Sequence, residues 1–337
     1  MTTSPPAYRL FVGVDIAATT FAASWTTAGA SSQRAVTFAQ TPDDFVAFQE
    51  QLRALGIPEA ETLIVIEATG SYWVGLAVSF HEAGFAVAVV NPAHVYNYAR
   101  SLPRRAKTDA LDAQLLAQFA AERQPARWTP PPQVYHELRQ RLIARDGLLS
   151  MRQQARNQRH ALQQWPVVVR SVCDHLDKVI AELDTRLSEL DAEIAQVLRD
   201  GAWAESANLL RSITGIGMVT TAWLLVGTLN FQACASAEQA AAYVGLVPLA
   251  RESGSSVRGR AQIGHSGHAR LRTALYLATL TAARFNPTIK AQYQRLRAAG
   301  KPPKVARCAA ARKLLHLAYA VVSKRQPFDP HYGMVGS

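Results

Sequence analysis

The sequence predicts two architectures in one chain: an α/β first third, then an all-α remainder with a central coiled coil. Three observations predict this. Short apolar runs alternate with helix-spaced segments up to residue 128. Pro130-Pro131-Pro132 then marks a linker. Beyond it the periodicity is helical, and one stretch carries a heptad, Leu176, Ile180, Leu183, Leu187, Leu190, Ile194, Val197.

In the first third, Leu10 to Asp15, Phe21 to Thr27 and Arg34 to Gln40 are strand-like runs separated by short turns, a predicted antiparallel meander. Thr41-Pro42-Asp43-Asp44 is a helix start with proline at the first helical position. Phe45, Phe48, Leu52 and Leu55 continue it at helical spacing. Leu63 to Glu67 is a short, fully apolar strand. A helix follows from Tyr72 to about Ala83, then a strand from Phe85 to Val90 ended by Asn91-Pro92. A further helix runs from Asp109 to about Arg123, with Leu115, Leu116 and Phe119 facing inward. The order βββαβαβα is that of the ribonuclease H-like (RNase H) fold. The expected division is an α/β domain over 1–128, a helical coiled-coil region over 129–200, a helical domain over 201–330 and a short tail over 331–337.

The two long helical stretches, broken near Trp165-Pro166, carry opposite charge. Val134 to Arg170 has seven arginines and two acids, whereas Asp174 to Asp200 has eight acids and three bases. An acidic helix can pair with the basic one or shield it until nucleic acid arrives. The heptad is read as a dimer seam; a helix packed against its own domain is the competing reading.

The chain has 337 residues, 49% of them apolar, and a net charge of +11. From Arg251 to Arg325 there are sixteen Lys and Arg against one acid, Glu252. Such a stretch repels itself unless a polyanion meets it, and nucleic acid is the usual one. No apolar run is long enough to span a membrane. Met1-Thr2-Thr3-Ser4-Pro5-Pro6 lacks the basic and apolar regions of a signal peptide. Three scattered cysteines, Cys173, Cys234 and Cys308, suggest a reducing compartment such as the cytoplasm, with no disulfide framework or zinc site.

Four acids carry the predicted chemistry. Asp15 and Glu67 each end an apolar strand, so both are expected at the carboxyl edge of the sheet, where open α/β sheets bind ligands. Asp109 and Asp112, three apart, share one helix face. Converging carboxylates repel unless a cation holds them, and Mg²⁺ prefers such oxygen ligands (Mn²⁺ is an expected substitute). Each acid also has an ordinary use, since Asp109 and Asp112 suit a helix N-terminus with Thr108 as cap.

In the last third, Leu210-Arg-Ser-Ile-Thr-Gly-Ile-Gly217 resembles the hairpin of a helix-hairpin-helix element, where Gly215 and Gly217 let backbone N–H groups approach a DNA phosphate. Arg251-Glu-Ser-Gly-Ser-Ser-Val-Arg-Gly-Arg260 reads either as a plain flexible loop or as a serine nucleophile amid arginines. Arg251, Arg258 and Arg260 are then candidates to hold the scissile phosphate. Arg270 and Arg272 open a helix and are candidate phosphate contacts; His265 and His268 receive no role.

Together these motifs resemble one family, the DEDD transposases of bridge-RNA-guided insertion sequences, related to the Piv-type DNA invertases. The matching pieces are Gly13-Val-Asp15, Ile66-Glu67-Ala-Thr-Gly-Ser-Tyr72, Val90-Asn-Pro92, Lys107-Thr-Asp-Ala-Leu-Asp-Ala113, Ile213-Thr-Gly-Ile-Gly217, Gly245-Leu-Val-Pro248, Glu252-Ser-Gly-Ser-Ser-Val-Arg-Gly259 and Gly267-His-Ala-Arg-Leu-Arg272. The resemblance implies a RuvC-like N-terminal domain, a coiled coil and a helical transposase domain. It implies that Asp15, Glu67, Asp109 and Asp112 bind Mg²⁺, that Ser253 is the nucleophile, and that a structured guide RNA base-pairs with donor and target DNA. His265 stands where the family often has lysine, and Thr214 where proline is commoner.

The expected function is therefore DNA cleavage and strand exchange through a phosphoserine, by a dimer and, for two duplexes, a tetramer. Two other readings stay open: a junction nuclease that uses water, and a non-catalytic RNA- or DNA-binding protein.

Overall fold

Alternation of side chains along two central strands builds the first 130 residues of the molecule. The computed structural model describes residues 8–30, 32–102, 109–253, 257–264 and 266–330, without the side chains of 109–110, 249–253 and 257–261. The chain divides into two compact units, Met1–Pro130 and Pro131–Ser337, so the boundary falls inside the triple proline.

In the first unit β1 (Leu10–Ile16) pairs antiparallel with β2 (Thr20–Thr27), which pairs antiparallel with β3 (Val36–Ala39). On its other side β1 pairs parallel with β4 (Thr62–Glu67), and β4 pairs parallel with β5 (Ala86–Val90). The sheet order is β3-β2-β1-β4-β5. The strands β1 and β4 are apolar nearly throughout because both of their faces are covered. Val12, Val14, Ile64 and Ile66 face a core built with Phe48 and Leu52 of α1 (Pro42–Arg53) and Leu76 and Phe80 of α2 (Trp73–Glu82). Phe11, Leu63 and Val65 face a second core with Val95 and Tyr98 of α3 (Pro92–Arg100) and Leu115, Leu116 and Phe119 of α4 (Asp109–Arg123).

Helix starts follow local rules. Thr41 caps α1, its Oγ1 accepting from the Asp44 N–H at 3.3 Å, with proline at the first turn. Asn91-Pro92 uses the same device: Asn91 Oδ1 accepts from the Ala93 N–H at 2.9 Å and starts α3. From sequence the dipeptide marks only the end of a strand, so α3 is an addition to the expected element order.

The helix α4 lies directly on β1. A Cβ at Gly13 would sit 2.1 Å from the Ala117 nitrogen and 2.3 Å from the Ala113 oxygen. Past the end of α4, Arg127 donates to the Tyr8 hydroxyl at 2.7 Å and the Ala60 carbonyl at 3.4 Å, at the amino ends of β1 and β4. The helix therefore runs down the sheet, and its own N-terminus lies at the strands' carboxyl ends.

In the second unit α5 (Gln133–Leu162) and α6 (Arg170–Asp200) form an antiparallel hairpin. Arg141 pairs with Glu193 at 2.8 Å, Arg145 with Asp191 at 2.5 Å, Arg156 with Asp184 at 3.2 Å; Arg152 pairs with Asp184, and Arg159 with Asp177. Basic and acidic helices thus neutralise each other within one chain. Exposed pairs of this kind contribute little singly, but their progression fixes the register. Leu187 and Ile194 of the heptad are buried and its other positions half-buried. Near the base, Leu138, Leu142, Ile194 and Leu198 share one core with α7 (Ala204–Arg211), α8 (Met218–Thr228), α9 (Ala237–Val244), α10 (Ala269–Phe285) and α12 (Pro303–Lys324). Ile289 of α11 (Pro287–Ala298) joins it.

The second unit is not wholly helical. The segment read as a loop around Arg251–Arg260 forms two antiparallel strands, β6 (Pro248–Ser253) and β7 (Val257–Ile263), with a register irregularity between Leu249 and Arg251. Small and basic residues there show no apolar alternation, so a hairpin was not legible. Among the described residues no helix is long and apolar enough to cross a membrane.

Because the Cβ of an alanine at Gly13 meets helix backbone rather than a flexible side chain, Gly13→Ala must displace α4. Overpacking of this kind costs about 1–3 kcal/mol, and urea denaturation of the full chain is expected to show a loss in that range. An unchanged unfolding midpoint would mean that α4 does not ride on β1 in this way.

Candidate functional site

Strand alternation places the predicted acids. Phe11 and Gly13 face α4, so Asp15, two further along β1, faces the same side. Leu63 and Val65 face that side too, which puts Glu67 there at the end of β4. The parallel register pairs Val14 with Ile66, so Asp15 and Glu67 end neighbouring strands. Asp112 is half-buried and precedes Ala113, whose carbonyl overlies Gly13. Asp109 opens α4 one turn earlier; its side chain lies outside the described residues. Thr69 Oγ1 donates to Glu67 Oε1 at 2.8 Å and orients that carboxylate. Among the described residues no three metal-ligating side chains form a ready-made cluster. The donor chemistry nonetheless fits a hard cation: Asp15 and Glu67 offer carboxylate oxygens on one face of one sheet edge, and Asp112 lies on the helix that covers it.

Ser253 is the last residue of β6, paired with Val257, and Arg251 and Glu252 pair with Gly259 and Arg258. The side chains of Arg251, Ser253, Arg258 and Arg260 lie outside the described residues, as do Ser255, Ser256 and His265 altogether. Arg270 pairs with Asp146 of α5 at 3.2 Å. Arg272 donates to the carbonyls of Ser266 at 2.8 Å and Val244 at 3.3 Å. It thereby clamps the turn at Gly245 against the segment at Gly267, where the two backbones touch: a Cβ on Gly267 would lie 2.6 Å from the Gly245 nitrogen.

The two glycines of the helix-hairpin-helix-like turn differ. Gly215 has φ +105°, and a Cβ on it would lie 2.5 Å from the Ala282 Cβ, so its role is close approach to α10. Gly217 caps α8 and faces open space, which leaves that helix N-terminus accessible to an anion. Asn286 is a further residue of this turn, not among those expected from sequence. This fully buried residue donates from Nδ2 to the Thr214 carbonyl at 3.2 Å while its Oδ1 caps α11 through the Ile289 N–H, so it ties the turn to α11. Its position before Pro287 was the available signal.

Residues 12–164 match the family DEDD_Tnp_IS110, described as a transposase, and residues 207–294 match the Transposase IS116/IS110/IS902 family. The pilin gene-inverting proteins of Moraxella lacunata and Moraxella bovis are each 32% identical over 326 residues, covering 95% of this chain and 98% of theirs. The chain belongs to the IS110 family of transposases. The insertion element IS900 42 kDa protein of Mycobacterium paratuberculosis is 30% identical over 178 residues, 52% of this chain and 44% of its own. The first matched span of this IS110-family chain contains Asp15, Glu67, Asp109 and Asp112; the second contains Gly215, Gly217, Ser253, Arg270 and Arg272.

In this IS110-family chain His268, to which sequence gave no role, is a helix cap. Its Nδ1 accepts from the Leu271 N–H at 3.1 Å at the start of α10, with the ring beside Trp223 and Tyr243. Burial, with a smaller contribution from Arg139, pulls its pKa below the usual 6.5. Only the neutral ring can accept at Nδ1. A depressed folded pKa means that its stabilisation is present above about pH 6.5 and lost as pH falls below it. His268→Ala is expected to cost about 1 kcal/mol, and His268→Asn to keep the cap. Melting temperatures measured across pH 5–8 (roughly the span in which histidine titrates) should fall less steeply toward acid in His268→Asn than in the natural chain.

Proposed function

We propose that this IS110-family chain is a transposase-recombinase that cuts and rejoins DNA through a serine nucleophile, and that its first unit is an RNase H-like (RuvC-like) domain. One observation carries the reading. Asp15 and Glu67 end neighbouring strands on one sheet face, and α4, seated on Gly13, brings Asp112 and the start of the helix at Asp109 to that same edge. The sheet order β3-β2-β1-β4-β5 supports the fold assignment. The names of the Moraxella relatives, pilin gene-inverting proteins, support DNA rearrangement as the outcome.

The chemistry balances as two phosphoryl transfers. Ser253 Oγ attacks a backbone phosphorus, the bond from phosphorus to the 3′ oxygen breaks, and a phosphoserine and a free 3′ hydroxyl result. The 3′ hydroxyl of the exchanged strand then attacks the phosphoserine, the bond to Oγ breaks, and the serine recovers its proton. Asp15, Glu67, Asp109 and Asp112 would hold Mg²⁺ (or Mn²⁺), which would supply a Lewis acid to the displacement. Arg251, Arg258 and Arg260, on the strands that carry Ser253, neutralise the scissile phosphate. A structured guide RNA supplies sequence selection by base pairing, leaving the protein to read backbone. Acting on two duplexes calls for a dimer and then a tetramer.

Asp15→Ala, Glu67→Ala and Asp109→Ala are each expected to lower strand exchange by at least about 10²-fold with the melting temperature retained. EDTA should do the same, and full activity in EDTA would rule out the metal. Ser253→Ala should bind nucleic acid yet form no covalent adduct with end-labelled DNA on denaturing gels. Cleavage by the natural chain without any adduct would point to water as nucleophile. Mixing Ser253→Ala with Asp15→Ala chains tests assembly: recovered single-strand cleavage means that sites are shared between chains.

A further inference from the structure

The strands that end in Asp15 and Glu67 lie in segments without cations. No lysine or arginine occurs from Leu10 to Gln33 or from Ala54 to Ala99. These segments cannot hold a DNA phosphate by charge. What they display at the sheet's carboxyl edge is an aromatic ring. Tyr72, five residues past Glu67, is 55% exposed. Its neighbour Trp73 packs instead against Trp128, with ring centres 5.7 Å apart.

The turn beneath the Tyr72 ring is anchored along its length. The Ala68 N–H donates to the Val90 carbonyl at 2.9 Å, and Thr69 Oγ1 to Glu67 itself at 2.8 Å. Trp73 Nε1 donates to the Gly70 carbonyl at 3.2 Å. Gln40 Nε2 donates to the Ala17 carbonyl at 3.3 Å and reaches that of Tyr72 at 3.5 Å, which ties the turn to the residues just past Asp15. Gly70 has φ +63°, and a Cβ on it would lie 3.7 Å from Tyr72 Cδ2. One edge of the ring therefore rests on the turn, and the remainder meets solvent. The fold makes no use of this side chain. Tyr72 precedes α2 without capping it, and its hydroxyl forms no hydrogen bond among the described residues. Tyr96, the other exposed ring among the described residues of this unit, already carries the Arg100 guanidinium at 5.9 Å.

An uncovered aromatic face, held firmly beside carboxylates that meet a phosphodiester, suits a nucleobase. Every base has a π-face, so such a stack is tolerant of sequence. A base inside an intact duplex has both faces covered by its neighbours and must leave the stack to make this contact. We propose that Tyr72 stacks on the base next to the scissile phosphate and holds the reacting strand, locally unstacked, at the Asp15–Glu67 edge. This rests on the DNA-cleavage reading above and adds a substrate contact to it.

The test has two arms. In the first, the full chain is irradiated with a mixed-sequence single-stranded DNA that carries iodouracil in place of every thymine. Iodouracil crosslinks to aromatic rings stacked on it, and peptide mapping locates the crosslink without any need for cleavage. A crosslink is expected at Tyr72 and should vanish from this turn in Tyr72→Ala. In the second arm, Tyr72→Ala should lower kcat/KM for strand cleavage about tenfold or more, as loss of one base–aromatic stack does, and Tyr72→Phe less than about twofold. An abasic nucleotide beside the cleavage point should cost the natural chain the same factor and cost Tyr72→Ala nothing further. The exposed side chain lets the fold tolerate both substitutions, and equal melting temperatures check this. Crosslinks confined to other segments, additive losses in the abasic comparison, or Tyr72→Phe as poor as Tyr72→Ala overturns the stack. A natural chain that crosslinks at Tyr72 but cuts no DNA supports the stack and overturns the cleavage reading. Unimpaired cleavage by Tyr72→Ala overturns the stack alone.

Discussion

The contact of the α4 backbone with Gly13 is the constraint on which the first unit depends. A helix ordinarily stands off a sheet by the thickness of two layers of side chains. Here Ala113 and Ala117 meet a strand residue with no side chain, and the two backbones touch. That contact fixes where along the sheet the first turn of α4 falls. It also lets Leu115, Leu116 and Phe119 reach Phe11 and Tyr98 on the same face. The stretch after α4 then returns to the sheet, where the Trp128 N–H donates to the Val87 carbonyl at 2.7 Å. A single missing Cβ thus sets the height of the start of α4 relative to the carboxyl ends of β1 and β4.

The second unit repeats the device with other partners. Gly215 lies against Ala282 of α10, and Gly245 against Gly267, so turns are inserted where side chains would stand. Each contact is held by a polar side chain: Asn286 between the Thr214 carbonyl and the start of α11, and Arg272 Nη1 between two carbonyls across the Gly245 turn. Backbone polar groups in such tight loops need partners, and these side chains provide them.

Much of this was legible because local rules sufficed. Apolar runs ending in acids marked β1 and β4, Thr41-Pro42 marked α1, and the opposed charges of residues 134–170 and 174–200 made pairing of the two long helices one of two expectations, the other being a shield, beside a heptad read as a seam between chains. The elements that escaped notice depend on distant residues. The β6–β7 hairpin has no apolar alternation to announce it, and α3 is short and carries polar and charged residues. The cap at His268 becomes apparent only once Trp223 and Tyr243 stand beside the ring, and Asn286 only once Thr214, 72 residues earlier, lies against it. The heptad showed that α6 had an apolar face; that α5 covers its buried positions was tertiary information.

The ion-pair progression along α5 and α6 also shapes how the molecule meets a charged partner at a distance. Paired charges of opposite sign largely cancel beyond about 8–10 Å, the screening length near physiological salt. The hairpin, although dense in charge, therefore contributes little to the far field. The segment from Arg251 to Arg325, sixteen cations against one acid, dominates it. Approach of a polyanion is steered toward that end of the sequence before any specific contact forms, and the encounter rate inherits a dependence on ionic strength that the hairpin's own arginines do not set. The acidic helix thus cancels, at a distance, the charge of a long basic one.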